Sequence, residues 1–117
     1  MIRTLAITRE HQVTVNLPLE QLDLTDYAWV WADFNQPTEE ESQLLDTYFH
    51  FHPLAIEDCL HVLQRPKLDY YENLQFLVLH ALHPVTLEAE EVDLFLGQNF
   101  LVSYHHGQLE EVDEAWE

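Results

Sequence analysis

A chain of 117 residues is one domain, with 47% hydrophobic residues and no repeat or low-complexity tract. Its 22 acidic side chains against four basic ones give a formal net charge of −18. That balance argues against nucleic acid and anionic membrane surfaces as partners, since both require a basic patch. The first two strands are expected at Met1–Ile7 and Gln12–Leu17, joined by a polar connection around Arg9-Glu10-His11. Val13, Val15 and Leu17 alternate with polar neighbours, the pattern of a strand with one wet side. Pro18 to Leu24 is read as a short helical turn, and Tyr27 to Phe34 as an aromatic strand broken by Asn35-Gln36-Pro37. Thr38 then opens a helix in a capping box, with Glu41 reaching back to the cap and three glutamates complementing the helix dipole. Leu44, Leu45, Tyr48 and Phe49 supply its buried side.

Pro53 suits the first turn of a second helix, where its missing N–H costs nothing. Ile56, Cys59, Leu60 and Leu63 recur at i, i+3, i+4 and i+7 and predict an apolar inward stripe. Glu57, Asp58, His61 and Gln64 fall on the opposite side. Pro66 disfavours helical geometry at Arg65 and ends the helix there. Asn73–His83, Glu90–Leu96 and Asn99–His105 are expected to be strands, the last two joined by a hairpin turn at Gly97-Gln98. Tyr70, Tyr71 and Phe76 are read as core aromatics. The strand at Asn73–His83 is apolar on both faces, which calls for a covering layer above and below. The helices between 38 and 64 supply one layer only. Glu110–Glu117 looks like the first turns of a helix, and the second layer is expected downstream. The fold class is α/β: a mixed parallel/antiparallel β-sheet with helices packed on its faces, a truncated α/β/α sandwich spanning residues 1–117.

The longest apolar run, Phe76 to Leu82, includes His80 and falls far short of the ~20 residues of a spanning helix. The segment MIRTLAITREH lacks the apolar core and cleavage site of a signal peptide, so a soluble chain is expected. The lone Cys59 lies on the inward stripe, flanked by acids that would raise its pKa, and is read as a small core hydrophobe. No Gly-x-Ser-x-Gly elbow, phosphate loop or Gly-x-Gly-x-x-Gly turn exists, and two glycines leave little scope for one; no enzymatic activity is expected.

Six segments run in order along the chain: Trp29–Asp33, Pro37-Thr38-Glu39-Glu40-Glu41, His52-Pro53-Leu54-Ala55-Ile56-Glu57-Asp58, Arg65-Pro66-Lys67, Tyr71 with Phe76-Leu77-Val78, and Phe95-Leu96. Together they resemble the cytoplasmic domain of CorA-type divalent cation transporters, the magnesium/cobalt family with its zinc-transporting relatives. The family's Gly-Met-Asn pore motif and its membrane spans are absent. The resemblance implies a mixed sheet between two helical layers, a long stalk helix continuing into the membrane, and five subunits around a pore. It implies a domain on the cytoplasmic side of the cell membrane, with the membrane reached only through the missing C-terminal region.

Glu57 and Asp58 are the leading candidate site. Adjacent exposed carboxylates are hard oxygen ligands suited to Mg2+, which dehydrates reluctantly and can be held through its waters. The resemblance implies that this pair senses cytoplasmic Mg2+, with Co2+ or Zn2+ as alternatives, by facing acids of a neighbouring subunit in a homo-oligomer. Without those acids the pair is half a site. An ordinary solvated helix face remains open as the reading of the same residues. Among the eight histidines no pair has the spacing of a convincing zinc site. His61, near the Glu57-Asp58 face, is the weak candidate for a metal ligand. Arg65 and Lys67 are read as ion-pair partners of nearby acids. The expected function is cation sensing and subunit contact in a divalent cation transporter. The rivals are a free-standing acidic interaction module and, behind it, a metal-dependent hydrolase.

Overall fold

The computed structural model describes residues 1–16, 18–19, 22, 24–60, 66–71, 73–82, 85 and 89–107. Seven strands form one sheet: β1 (Ile2–Thr8), β2 (Val13–Val15), β3 (Tyr27–Asn35), β4 (Lys67–Tyr71), β5 (Leu74–Leu82), β6 (Ala89–Leu96) and β7 (Phe100–His105). Their spatial order is β2-β1-β3-β7-β6-β5-β4. β3 and β7 run parallel and every other neighbouring pair is antiparallel. The mixed sheet expected from the sequence is therefore present. The parallel pair needs a crossover, and the chain from 36 to 99 supplies it with the helices and the β4–β5–β6 meander.

Three short helices, α1 (Glu39–Ser42), α2 (Leu44–Thr47) and α3 (Pro53–Leu60), lie within that crossover. The expected capping box forms: Thr38 Oγ1 accepts from the Glu41 N–H at 3.1 Å, and the Thr38 N–H donates to Glu41 Oε1 at 2.9 Å. The Thr38 backbone bond lowers the Glu41 carboxyl pKa more than burial raises it, and the Met1 ammonium, 2.9 Å away, lowers it further. A turn at Gln43 divides the single helix read from sequence into α1 and α2.

Register assigns each strand residue to a face. Ala6, Val30, Ala32, Phe34, Val102, Tyr104, Phe95, Phe76, Val78 and Leu74 share one side, and all are buried. Leu45, Phe51, Ala55 and Cys59 close this core from the helical side, and Leu19 and Leu22 extend it. Phe51 stacks on Phe95 with centroids 4.3 Å apart, and Phe95 meets Phe76 at 4.9 Å. On the opposite side Val13, Val15, Leu68, Tyr70 and Leu79 are exposed, while Leu5, Trp29, Trp31, Leu77, Leu94 and Leu101 are half-buried.

Two expectations need correction. Leu60 is exposed, and Ala55 takes its place beside Cys59 in the core: the small alanine lets α3 approach the sheet closely and rotates the stripe by one position. Tyr70 is 71% exposed rather than a core residue. The reason is β4, which the sequence reading did not identify as a strand. It is an edge strand that turns Leu68 and Tyr70 to the open side and Lys67, Asp69 and Tyr71 to the helical side. Leu63, Arg65 and the helical reading of Glu110–Glu117 lie outside the described residues.

Candidate functional site

α3 starts where His52 and Pro53 place it. The His52 Nδ1 accepts from the Leu54 N–H at 3.1 Å, its carbonyl accepts from the Ile56 N–H at 3.1 Å, and its ring stacks on Tyr71 at 4.5 Å. His52 is thus the cap residue that the sequence suggested, satisfying a donor that would otherwise be orphaned. The helix it opens carries Glu57 on its exposed side. Asp58 sits lower, with its side chain 31% exposed, because the Lys67 ammonium on β4 reaches Asp58 Oδ2 at 2.5 Å and Asp69 Oδ2 at 3.0 Å. The bond to Asp58 is the main reason the Lys67 pKa lies above 10.5. The same ammonium stands 5.7 Å from the Phe76 ring centroid, within cation–π range. Lys67 is the ion-pair partner that the sequence reading proposed.

The two acids therefore differ. Glu57 faces solvent, while Asp58 is shared with a lysine and is tied to the sheet edge. Among the described residues no three His, Cys, Asp or Glu side chains gather as a metal cage. With Asp58 already paired to Lys67, the two acids by themselves are a weak cation site, and holding a divalent ion there would require further acids from elsewhere. His61 lies outside the described residues. His105 and His106 point apart: His105 is buried, and His106 is exposed against the Tyr104 ring at 5.2 Å.

Beneath α3 lies a feature that sequence reasoning missed. Asp93 and Glu91 alternate along β6 in phase with Phe95, so all three point into the helix-covered core, where Asp93 is 1% exposed and Glu91 8%. Burial first, then the neighbouring Glu91 carboxylate, pushes the Asp93 carboxyl up to about 8. Cys59 faces this pair; burial, reinforced by Asp93 and Glu91, raises its thiol well above 9.0 and keeps it an unreactive core residue. The signal was available in the run AEEVDLFL, where period-two alternation sets two acids on the same side as a core phenylalanine. On the other face, Asp33, Ser103 and His105 form a second buried polar group, equally unforeseen.

Comparison with known proteins follows the same lines. Residues 26–117 match the family model described as CorA-like Mg2+ transporter protein. The chain is 53% identical over 105 residues to a Bacillus subtilis (strain 168) protein named "Putative metal ion transporter YfjQ", covering 90% of this chain and 33% of that one. It is 40% identical over 68 residues to the cobalt/magnesium transport protein CorA of Thermotoga maritima, covering 53% of this chain and 19% of that one. The complete structure of the CorA magnesium transporter from Methanocaldococcus jannaschii superposes with a TM-score of 0.80 at 14% identity, covering 99% of this chain and 35% of that one, a likeness of fold. The chain spans about a third of the length of YfjQ. Among the described residues no helix is long and apolar enough to cross a membrane. With the mixed sheet, the capped helices and the family match in agreement, this chain belongs to the CorA-like Mg2+ transporter protein family.

Proposed function

We propose that this chain is the N-terminal cytoplasmic domain of a divalent cation transporter and that Glu57 and Asp58 form its half of a cation-sensing contact. The names of the two relatives, one for metal ion and one for cobalt/magnesium transport, support divalent cations as the cargo. The observation that carries the sensing reading is the placement of Glu57 and Asp58 at the outer flank of α3, with Glu57 open to an approaching chain. Acids of a neighbouring subunit brought against this edge repel it, and a hydrated Mg2+ between them screens the repulsion. With the cation bound, subunits draw together and the pore closes; without it they separate. Lys67 sets the threshold, since it already offsets part of the negative charge at Asp58.

The exposed apolar side of the sheet supports a continuation of the same polypeptide. Val13 and Val15 on the edge strand β2, and Leu68, Tyr70 and Leu79 on β4 and β5, leave apolar side chains exposed at both edges of this face. Downstream helices covering it would complete the sandwich before the chain turns into a stalk. The test uses the full-length transporter, purified as a homo-oligomer, in limited proteolysis across a Mg2+ titration. Glu57→Gln with Asp58→Asn is expected to shift protection to higher Mg2+. Protection unchanged across the titration removes both residues from sensing.

A further inference from the structure

The buried polar group on the open side of the sheet has a hydrogen-bond pattern that fixes a protonation state. Asp33 Oδ1 accepts from Ser103 Oγ at 2.6 Å and from His105 Nε2 at 3.0 Å. Its Oδ2 accepts from Arg3 Nε at 3.1 Å and from a second guanidinium N–H. Ser103 Oγ in turn accepts from the Trp31 indole N–H at 2.9 Å, so its own proton is committed to Asp33. On the other side of the imidazole, His105 Nδ1 lies 2.5 Å from the Gly107 carbonyl oxygen. Both ring nitrogens thus face oxygens that only accept. A neutral imidazole has a single N–H and would set a lone pair against one of them. With the Asp33 and His105 side chains 0% exposed, water cannot fill the gap. Only the imidazolium satisfies both contacts.

We propose that His105 is a proton-operated latch: as an imidazolium it clamps Gly107 to Asp33 and so sets the direction in which the chain leaves β7. On losing its proton the ring keeps Nε2–H on the carboxylate, the stronger acceptor, and turns a lone pair on Nδ1 toward the Gly107 carbonyl. That contact becomes repulsive, and the backbone after β7 is released. The clamp joins three strands. Arg3 on β1 pairs across from Asp33 on β3, and Asp33 pairs with Ser103 on β7. The Gln36 N–H also donates to the His105 carbonyl at 2.9 Å.

Among the described residues, the charged groups facing the latch are few. Arg3 and Asp33 flank the ring. Glu90 on β6 abuts Gly107 so closely that a Cβ built there would collide with its carboxylate. The Met1 ammonium is engaged by Asn35 and Glu41. The acids of residues 108–117 lie outside the described residues. Burial by itself would lower the His105 pKa and Arg3 lowers it too, yet the bonds to Asp33 and Gly107 outweigh both and hold it above 6.5. Burial alone would raise Asp33, but its bonds to His105, Ser103 and Arg3 hold it below 3.8. The latch operates whether or not Glu57 and Asp58 sense a cation.

The test is a pH titration of the 117-residue chain by nuclear magnetic resonance, reading the His105 ring nitrogens and the Gly107 carbonyl carbon. Both nitrogens should carry protons at pH 6.5, the midpoint should lie above 6.5, and the Gly107 carbonyl should shift in step with it. A neutral His105 at that pH, or a Gly107 carbonyl that ignores the His105 transition, overturns the proposal. In Asp33→Asn the midpoint should fall below its wild-type position, because the bond and charge of Asp33 are lost and only Gly107 then opposes burial and Arg3. In His105→Gln the Gly107 shift should lose its pH dependence. If either variant does not fold, the wild-type titration decides alone.

Discussion

Asp93 offers the sharpest quantitative test of the fold, because the core beneath α3 holds a carboxyl that an apolar side chain would normally occupy. In the folded chain it keeps its proton up to about pH 8, against an ordinary value of 3.8. The unfolded chain releases that proton above about pH 4. Between these values the folded state binds more protons than the unfolded one, so stability falls as pH rises. At pH 7 about three pH units separate the ordinary value from the working condition, which sets a ceiling of about 4 kcal/mol on the cost at ~1.4 kcal/mol per unit. Relaxation and water penetration around buried acids reduce this ceiling, so about 2 kcal/mol is expected. Asp93→Asn keeps the shape, removes the charge and gives Glu91 an N–H donor. Urea denaturation followed by tryptophan fluorescence at pH 4 to 8 should show the variant about 2 kcal/mol more stable at pH 7, with the difference closing toward pH 4. If Asp93→Asn instead leaves the chain less stable than wild type at pH 7, with an unchanged pH slope, Asp93 is ionised in the fold and matched by a cation.

Two further outcomes follow from the same side of the sheet. Phe95→Ala deletes a fully buried ring stacked on Phe51 and should cost about 3–5 kcal/mol in chemical denaturation. Lys67→Gln removes the cation shared by Asp58 and Asp69; the pair is partly solvated, so the loss in water should be only about 0.5–1 kcal/mol. Added Mg2+ should then raise the melting temperature of the variant more than that of the wild type. An equal response in both chains would show that Lys67 does not tune this edge.

The candidate edge was legible in the sequence because its signals are local. Pro53 and the apolar spacing mark α3, Thr38 and Glu41 mark the cap, and consecutive numbering alone makes Glu57 and Asp58 neighbours. What β4 does to them was not legible. KLDYY carries two charges next to Pro66 and has a weak strand pattern. It becomes a strand only because β5 offers an edge to pair with. That pairing brings Lys67 under Asp58 and turns Tyr70 outward.

Composition, alternation and caps, which depend on residues within a turn or two of each other, were enough to define the class of fold, every strand but β4, and the adjacent acids on α3. The tertiary structure decided which polar groups went inside. Asp93 meets Glu91 and Cys59 because β6 lies beneath α3, and Asp33 meets His105 across 72 residues of chain because β3 and β7 run in parallel. A carboxylate or an imidazole takes its proton affinity from what surrounds it, and those surroundings are built from segments distant in sequence.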